Sequence, residues 1–316
     1  MVSIDDIMQA RVRIKNYIKT TPIHKSQYLS NLIEGSVFLK LESTQVTGSF
    51  KVRGALNRLL TLSKVETSKG VITASTGNHG LGTAFAAETL GISAHVVFPK
   101  EASVVKLKKM QNAGVSVIQD VGYADIESYA RRLAKERGLT YVSPYNDPMI
   151  IAGAGTTGLE ILEQLEKVDS VIVPIGGGGL ISGIATVVKT LSPQTEMIGV
   201  QSEASPEVYE SWRAGHWVDA EESDSLAQGL MGGVEHDSIT LDIIQRYLDR
   251  IVLVREKSIL EALGVLYTKE GLVIEGAGAA STAVLLERAS EFKGKCVVVV
   301  VSGGNISEEE LVALLS

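Results

Sequence analysis

The feature that most restricts the fold of this chain is a rhythm: short apolar runs rich in β-branched residues alternate with longer stretches of helical period. The runs are 37–41, 71–74, 94–98, 115–118 and 140–142, and the intervening segments 81–90, 103–113 and 124–137 are each long enough for a crossover helix. Parallel strands need connections of that length, whereas antiparallel neighbours can be joined by a two-residue turn. A second series follows, with runs at 170–173, 197–201, 250–254 and 296–301. Asn146-Asp147-Pro148 interrupts the two series and predicts a lobe boundary. The expected fold class is therefore α/β, with two lobes that each carry a twisted, mostly parallel sheet flanked by helices. Ahead of the first run, Ser3 and Asp6 with Ile4, Ile7, Met8, Val12 and Ile14 predict a capped amphipathic helix ending near Thr20-Thr21-Pro22. Only 214–237 is long and weakly periodic, and such a segment in a compact domain often lines a site.

With 316 residues and 45% hydrophobic content, the chain can bury cores for two associated lobes. Its 37 acidic residues outnumber the 30 basic ones, so nothing in its charge draws it toward nucleic acid or an anionic membrane. A small-molecule ligand is the better expectation. No stretch approaches the roughly 18 apolar residues of a membrane span, and the N-terminus carries acids in place of an apolar leader. A soluble cytoplasmic protein is expected. Cys296, the one cysteine, lies in an apolar run and reads as an inert strand residue in a reducing compartment.

Gly176-Gly177-Gly178-Gly179 directly follows the run that ends Val173-Pro174-Ile175 and precedes a helical pattern over 180–191. Four residues without Cβ let backbone N–H groups converge on an anion, and the helix start behind them adds its positive dipole end. A plain turn would need only one or two glycines, so the segment reads as a phosphate cup. Nothing here matches G-x-x-x-x-G-K-[ST]. Gly153-Ala154-Gly155-Thr156-Thr157-Gly158 satisfies G-x-G-x-x-G, yet it follows a turn-like segment, and no acid for a ribose lies about 20 residues on. Those glycines read as close helix packing.

Lys51 follows the bend Gly48-Ser49 and opens a helical pattern running to Leu60. Lysine is ordinarily a solvated charge. Apolar neighbours and a helix start would instead lower its pKa and make it a usable amine nucleophile. The stretch from Lys40-Leu41-Glu42 through Thr47-Gly48-Ser49-Phe50-Lys51-Val52-Arg53-Gly54 resembles the cofactor-lysine motif of the fold type II pyridoxal-phosphate enzymes, in the threonine/serine dehydratase and serine racemase branch. The cysteine-synthase and threonine-synthase branches typically carry Lys-Asp-Arg where this chain reads Lys51-Val52-Arg53. Ser75-Thr76-Gly77-Asn78-His79-Gly80, the glycine cup, and Ser302-Gly303-Gly304-Asn305 match in the same order, so the likeness runs from Thr21-Pro22 to Asn305.

The resemblance implies a tryptophan synthase β-like fold, with residues 1–60 and 146–316 as a large cofactor-binding domain and 61–145 as a small domain for the substrate carboxylate. It implies pyridoxal 5′-phosphate joined to Lys51 as a Schiff base beside Phe50, with Asn78 on the ring 3′-oxygen. Gly176, Gly177, Gly178, Gly179 and Leu180 would hold the phosphate, and Ser302 would meet the pyridine nitrogen, which a hydroxyl does not force to be protonated. Gly229 and Glu275 match as contacts beside the ring, although packing or loop structure explains each equally well. Ser75, Thr76, Gly77, Asn78 and His79 would receive the amino-acid carboxylate at a helix start, with His79 structural and not a base. A cation near an acid resembling Glu203 occurs in some relatives, but the second carboxylate falls near Tyr209 or Glu207. The likeness also suggests a homodimer, and no regulatory domain of the biosynthetic threonine dehydratases after the last helix.

The implied chemistry is β-elimination from a small β-hydroxy amino acid. Lys51, released when the substrate amine replaces it, removes the α-proton. The hydroxyl leaves as water with a proton from the cofactor phosphate, and hydrolysis ends in a 2-oxo acid and ammonia. Racemisation needs a second acid/base on the opposite face; racemases carry serine and many dehydratases alanine where this chain has Thr76, whose hydroxyl with an added methyl leaves the question open. Tyr145, in Ser143-Pro144-Tyr145-Asn146-Asp147, resembles dehydratases. Serine racemase, a specialist 3-hydroxyaspartate dehydratase and a non-catalytic binding protein on the same scaffold are the competing readings.

Overall fold

The computed structural model describes residues 2–75, 77–100, 104–122, 126–232, 234–235 and 237–316. Among these residues the strands are β1 (Ile23–Ser26), β2 (Ser36–Leu41), β3 (Val71–Ala74), β4 (Ala94–Val97), β5 (Ser116–Ile118), β6 (Thr140–Tyr141), β7 (Ser170–Pro174), β8 (Glu196–Ser202), β9 (Arg250–Val254) and β10 (Cys296–Val301). The helices are α1 (Ile4–Ile14), α2 (Gln27–Leu32), α3 (Lys51–Leu59), α4 (Lys64–Lys69), α5 (Asn78–Leu90), α6 (Val104–Asn112), α7 (Ile126–Arg137), α8 (Pro148–Gln164), α9 (Gly179–Leu191), α10 (Glu207–Ala214), α11 (Thr240–Tyr247), α12 (Glu256–Glu270), α13 (Gly276–Arg288) and α14 (Glu308–Leu315).

Two sheets result. One has the order β1-β2-β10-β7-β8-β9 and the other β5-β4-β3-β6. Every pairing is parallel except β1 with β2. The α/β class with two mostly parallel sheets is therefore what the chain adopts. β10 explains why the large sheet forms where it does. Its valines 297–301 are fully buried, with Val297, Val299 and Val301 in one apolar cluster with α13 residues and Val298 and Val300 in another with α9 residues. A strand covered on both faces has no reason to alternate in polarity, which is why it reads as an unbroken valine run.

Two elements depart from expectation. The edge strand β1 carries His24 and Lys25, exposed and polar, so no apolar run announces it. Helix α1 has the expected Ser3–Asp6 capping box but stops at Ile14, before Thr20-Thr21-Pro22. After a turn over 15–17 the chain is held by long-range bonds: Lys19 N–H donates to Gln45 Oε1 (3.0 Å) and Thr21 N–H to Glu160 Oε2 (3.1 Å). Pro22 reinforces this by disfavouring helical geometry at the residue before it.

The glycines of the G-x-G-x-x-G run are packing glycines within α8. A Cβ on Gly153 would lie 2.4 Å from the Arg53 carbonyl of α3, and one on Gly183 of α9 would lie 2.5 Å from Gly155 N. Helices α3, α8 and α9 thus cross backbone to backbone. Between them and β2 sits a buried ionic cluster: Arg53 meets Glu42 at 2.7 Å and Glu160 at 2.7 Å, and Lys40 meets Glu160 at 2.6 Å. Two cations against two carboxylates leave no net charge in a largely buried site, and Thr21 and Gln164 add hydrogen bonds. Such a cluster persists only while every member is paired.

Candidate active site

Four segments converge at the ends of β2, β3, β7 and β10. The lysine is placed by the largest set of bonds. Gly48, with φ of +74°, makes a turn that few other residues adopt without strain. Its carbonyl accepts from Gly304 N–H (2.9 Å), while Phe50 N–H donates to Ser302 O (3.1 Å). The bend before Lys51 is thereby stitched to the segment after β10, and α3 begins at Lys51 itself. Helix α5 packs hard against that start, since a Cβ on Gly82 would lie 3.1 Å from the Lys51 carbonyl carbon.

Lys51 Nζ donates to Pro144 O at 3.0 Å and lies 5.2 Å from the centre of the Phe50 ring. Burial pushes its pKa down to about 8, and the carboxylates of Glu127 and Glu275 pull weakly the other way. About a tenth of the amine is thus uncharged at pH 7, far more than for a solvated lysine.

The glycine run lies between β7 and α9, with Gly178 at φ +85° just before the helix. A Cβ on Gly177 would sit 2.4 Å from ring carbons of Tyr145, and one on Gly179 3.1 Å from Tyr145 Cα. A Cβ on Gly176 would sit 3.2 Å from Leu230 Cα and 3.5 Å from Gly229 O. Side chains are therefore excluded on every side of the cup, leaving backbone N–H groups and a 13-residue helix start. Leu180 is buried in the core behind it.

Asn78 opens α5. Its Nδ2 donates to Glu275 Oε1 (2.5 Å), and its Oδ1 accepts from Asn305 Nδ2 (2.6 Å). Ser302 Oγ is buried and donates to Ala277 O over a long 3.4 Å, so the hydroxyl is weakly engaged. Ser75 Oγ accepts from Gly77 N–H (3.1 Å) and Gly80 N–H (2.8 Å), capping the turn into α5. Thr76 lies outside the described residues. His79 is buried, and its Nε2 donates to Val142 O at 3.2 Å, since a carbonyl can only accept. Burial, with the nearby Lys51 charge, holds its pKa at about 3. A ring that stays neutral at any ordinary pH is a poor proton carrier.

Glu203 stands apart from these groups. It is exposed in the turn after β8, its N–H donating to Val254 O (3.0 Å), while Glu207 is turned inward to accept from Val234 N–H (3.2 Å). Among the described residues no three His, Cys, Asp or Glu side chains converge as metal ligands. Cys296 is a free thiol on β10 whose pKa burial raises.

Sequence reasoning missed a charged cluster beside Lys51. Glu127 of α7 and Glu235 of the irregular stretch after α10 are close enough that burial and Glu235 push the Glu127 carboxyl up to about 7. Arg131 pairs with Glu235 and lies 4.2 Å over the Tyr141 ring. Asn146 Nδ2 donates to Glu235 Oε2 (2.6 Å), and Tyr145 Oη accepts from Glu235 N–H (3.0 Å). The weak periodicity of 214–237 was the sole signal for Glu235; Glu127 reads in sequence as an ordinary acid in the first turn of a helix.

A lysine of lowered pKa, a side-chain-free glycine turn at a helix start, an amide and a buried hydroxyl are the parts that an aldehyde cofactor carrying a phosphate requires. The comparisons agree. The family model for pyridoxal-phosphate dependent enzymes matches residues 14–303. An L-threonine ammonia-lyase of Thermotoga maritima is 41% identical over 308 residues, which span 97% of this chain and 76% of that protein. The crystal structure of a T.th. threonine deaminase superposes with a TM-score of 0.89 at 36% identity, covering 96% of this chain and 99% of the other. That of maize serine racemase gives 0.92 at 31%, covering 99% and 98%. The chain belongs to the pyridoxal-phosphate dependent enzyme family, and pyridoxal phosphate is its cofactor.

Proposed function

We propose that this protein is an ammonia-lyase that eliminates water from a small β-hydroxy amino acid, L-threonine or L-serine, after which hydrolysis takes a water back and releases ammonia to leave a 2-oxo acid. The observation that carries this reading is the pairing of an amine lowered to about pKa 8 at Lys51 with the glycine cup at Gly176 to Gly179, in a chain 41% identical to a threonine ammonia-lyase. The residues present fit the cofactor. The cup accepts a phosphate where any Cβ would collide, Ser302 retains a hydroxyl for a ring nitrogen, and Asn78 keeps an amide N–H for a ring oxygen. When bound, the cofactor ring draws off the electron pair left at Cα as the α-proton departs.

The chain's own groups do the rest. Lys51, neutral for a useful fraction of the time, takes the α-proton at Nζ. The start of α5, with Ser75, Gly77, Asn78 and His79, receives the substrate carboxylate at the positive end of the helix dipole. In this reading His79 holds the turn and moves no proton. By family likeness alone Thr76 is assigned with Lys51 as a candidate acid/base, and Phe50, Leu180, Gly229 and Glu275 border the cofactor. Residues 61–145 form the substrate-carboxylate lobe and 1–60 with 146–316 the cofactor lobe. Family likeness supports a homodimer and a cytoplasmic location; among the described residues no helix is long and apolar enough to cross a membrane.

The test is a screen of the pyridoxal-phosphate-loaded protein against L-threonine, L-serine, their D-enantiomers and 3-hydroxyaspartate, with 2-oxo acid release and chiral analysis as readouts. Release from L-threonine or L-serine supports the proposal. Inversion of serine without 2-oxo acid would replace it by a racemase, and inertness toward all five would end it.

A further inference from the structure

Behind Asn78 runs a line of polar groups whose proton count can be closed. Asn305 Nδ2 donates to Thr47 O (2.8 Å) and to Asn78 Oδ1 (2.6 Å). Asn78 Nδ2 then donates to Glu275 Oε1 (2.5 Å). The two ends of this line are a peptide carbonyl and a carboxylate, and neither has a proton to give. The direction of both amides between them is therefore set. Turning Asn305 over would put its oxygen against two other oxygens, those of Thr47 and Asn78. Turning Asn78 over would set its oxygen against the Glu275 carboxylate and its nitrogen against the Asn305 nitrogen. Each inverted arrangement leaves half-buried polar groups in repulsive contact.

Counting protons gives the consequence. Both N–H bonds of the Asn305 amide are used. The Asn78 amide also has two, and among the described residues one is used, on Glu275. Gly303 lets the line pass so close, because a Cβ there would lie 2.2 Å from Glu275 Oε1 and 3.1 Å from Asn78 Nδ2.

We infer that Asn305 is a positioning residue that locks Asn78 as a hydrogen-bond donor, never an acceptor, toward the ring oxygen of the bound cofactor. This rests on the cofactor placement proposed above. A fixed donor stabilises the ring oxygen as an anion, and most of all once the neighbouring nitrogen that links the ring to Lys51 has lost its proton and the oxygen bears its full charge, so it lowers the pH at which that nitrogen titrates. Asn305 thus acts on a protonation equilibrium from the far side of Asn78, without touching the cofactor.

The test uses the holoenzyme and two substitutions of similar volume, Asn305→Asp and Asn305→Leu, neither of which can donate to Asn78 Oδ1 as the amide does. The readout is the pH titration of the visible absorbance of the lysine-linked cofactor, alongside borohydride trapping at Lys51 and thermal unfolding. With the lock removed, Asn78 is free to turn, and the midpoint at which the long-wavelength band is lost rises by about one pH unit, a tenfold change in the equilibrium. A merely structural role would lower cofactor occupancy or the melting temperature and leave that midpoint alone. Wild-type midpoints in the variants that retain trapped cofactor overturn the inference. A wild-type protein with neither visible band nor trapped adduct at Lys51 instead overturns the underlying cofactor placement, so the two failures are told apart. Should one variant not fold, the other carries the measurement.

Discussion

Lys51 offers the sharpest quantitative test, because its environment converts directly into a reaction rate. An ammonium group has three protons to place, and Pro144 O is the acceptor found for Lys51 among the described residues. Burial wins over the attraction of Glu127 and Glu275, so the pKa falls from the usual 10.5 to about 8. That fall disfavours the charged amine by about 3 kcal/mol. At pH 7 roughly one molecule in ten then carries a neutral amine, against roughly one in three thousand for an ordinary lysine, a difference of about 300-fold. The assay is the condensation of cofactor-free protein with excess pyridoxal phosphate from pH 6 to 9.5. The visible band would be followed in time and each rate divided by that of N-acetyl-lysine, so that titration of the reagent cancels. The ratio should be largest at low pH and fall off above a midpoint near 8, where Lys51 is already neutral while the free lysine is still gaining. Glu127→Gln removes an anion that favours the ammonium form, so it should lower the midpoint and speed the reaction at pH 7 about two- to threefold. A protein rate that climbs tenfold per pH unit through pH 9.5, parallel to N-acetyl-lysine, would refute the argument from burial.

Gly177→Ala places a methyl group 2.4 Å from the Tyr145 ring, so it should cost about 1–3 kcal/mol of stability. It should also weaken pyridoxal phosphate binding at least tenfold in an absorbance titration; unchanged affinity would mean that the cup does not hold the phosphate. Arg53→Met leaves Glu42 without its buried ion pair and Glu160 with Lys40 alone. Urea unfolding should register a loss of about 3–5 kcal/mol, and a loss below about 1 kcal/mol would show that the cluster tolerates an unpaired carboxylate.

What could be read without coordinates was whatever local periodicity encodes. The valine run of β10 and the alternation of short strands with long helices specify parallel sheets because each segment carries its own burial pattern. The packing role of Gly153, Gly155 and Gly158 was legible because no strand precedes them, and α8 indeed runs through all three. Strand β1 was not legible, since it is short, polar and antiparallel to β2. Helix α1 was read too long because its end is set by partners at Gln45 and Glu160, which the local sequence does not name.

The same division runs through the candidate site. The chain alone determined the chemical parts: four glycines at a helix start, a lysine after a Gly-Ser bend, an amide and a hydroxyl at two other strand ends. It did not determine their state. Lys51 is lowered to about 8 by burial against Pro144, 93 residues away, and Asn78 is turned by Glu275 and Asn305, 197 and 227 residues away. The Glu127 carboxyl is raised to about 7 by burial and by Glu235. Desolvation and hydrogen-bond direction are properties of an assembled environment, so only the tertiary structure decides which of these groups is charged and which way it points.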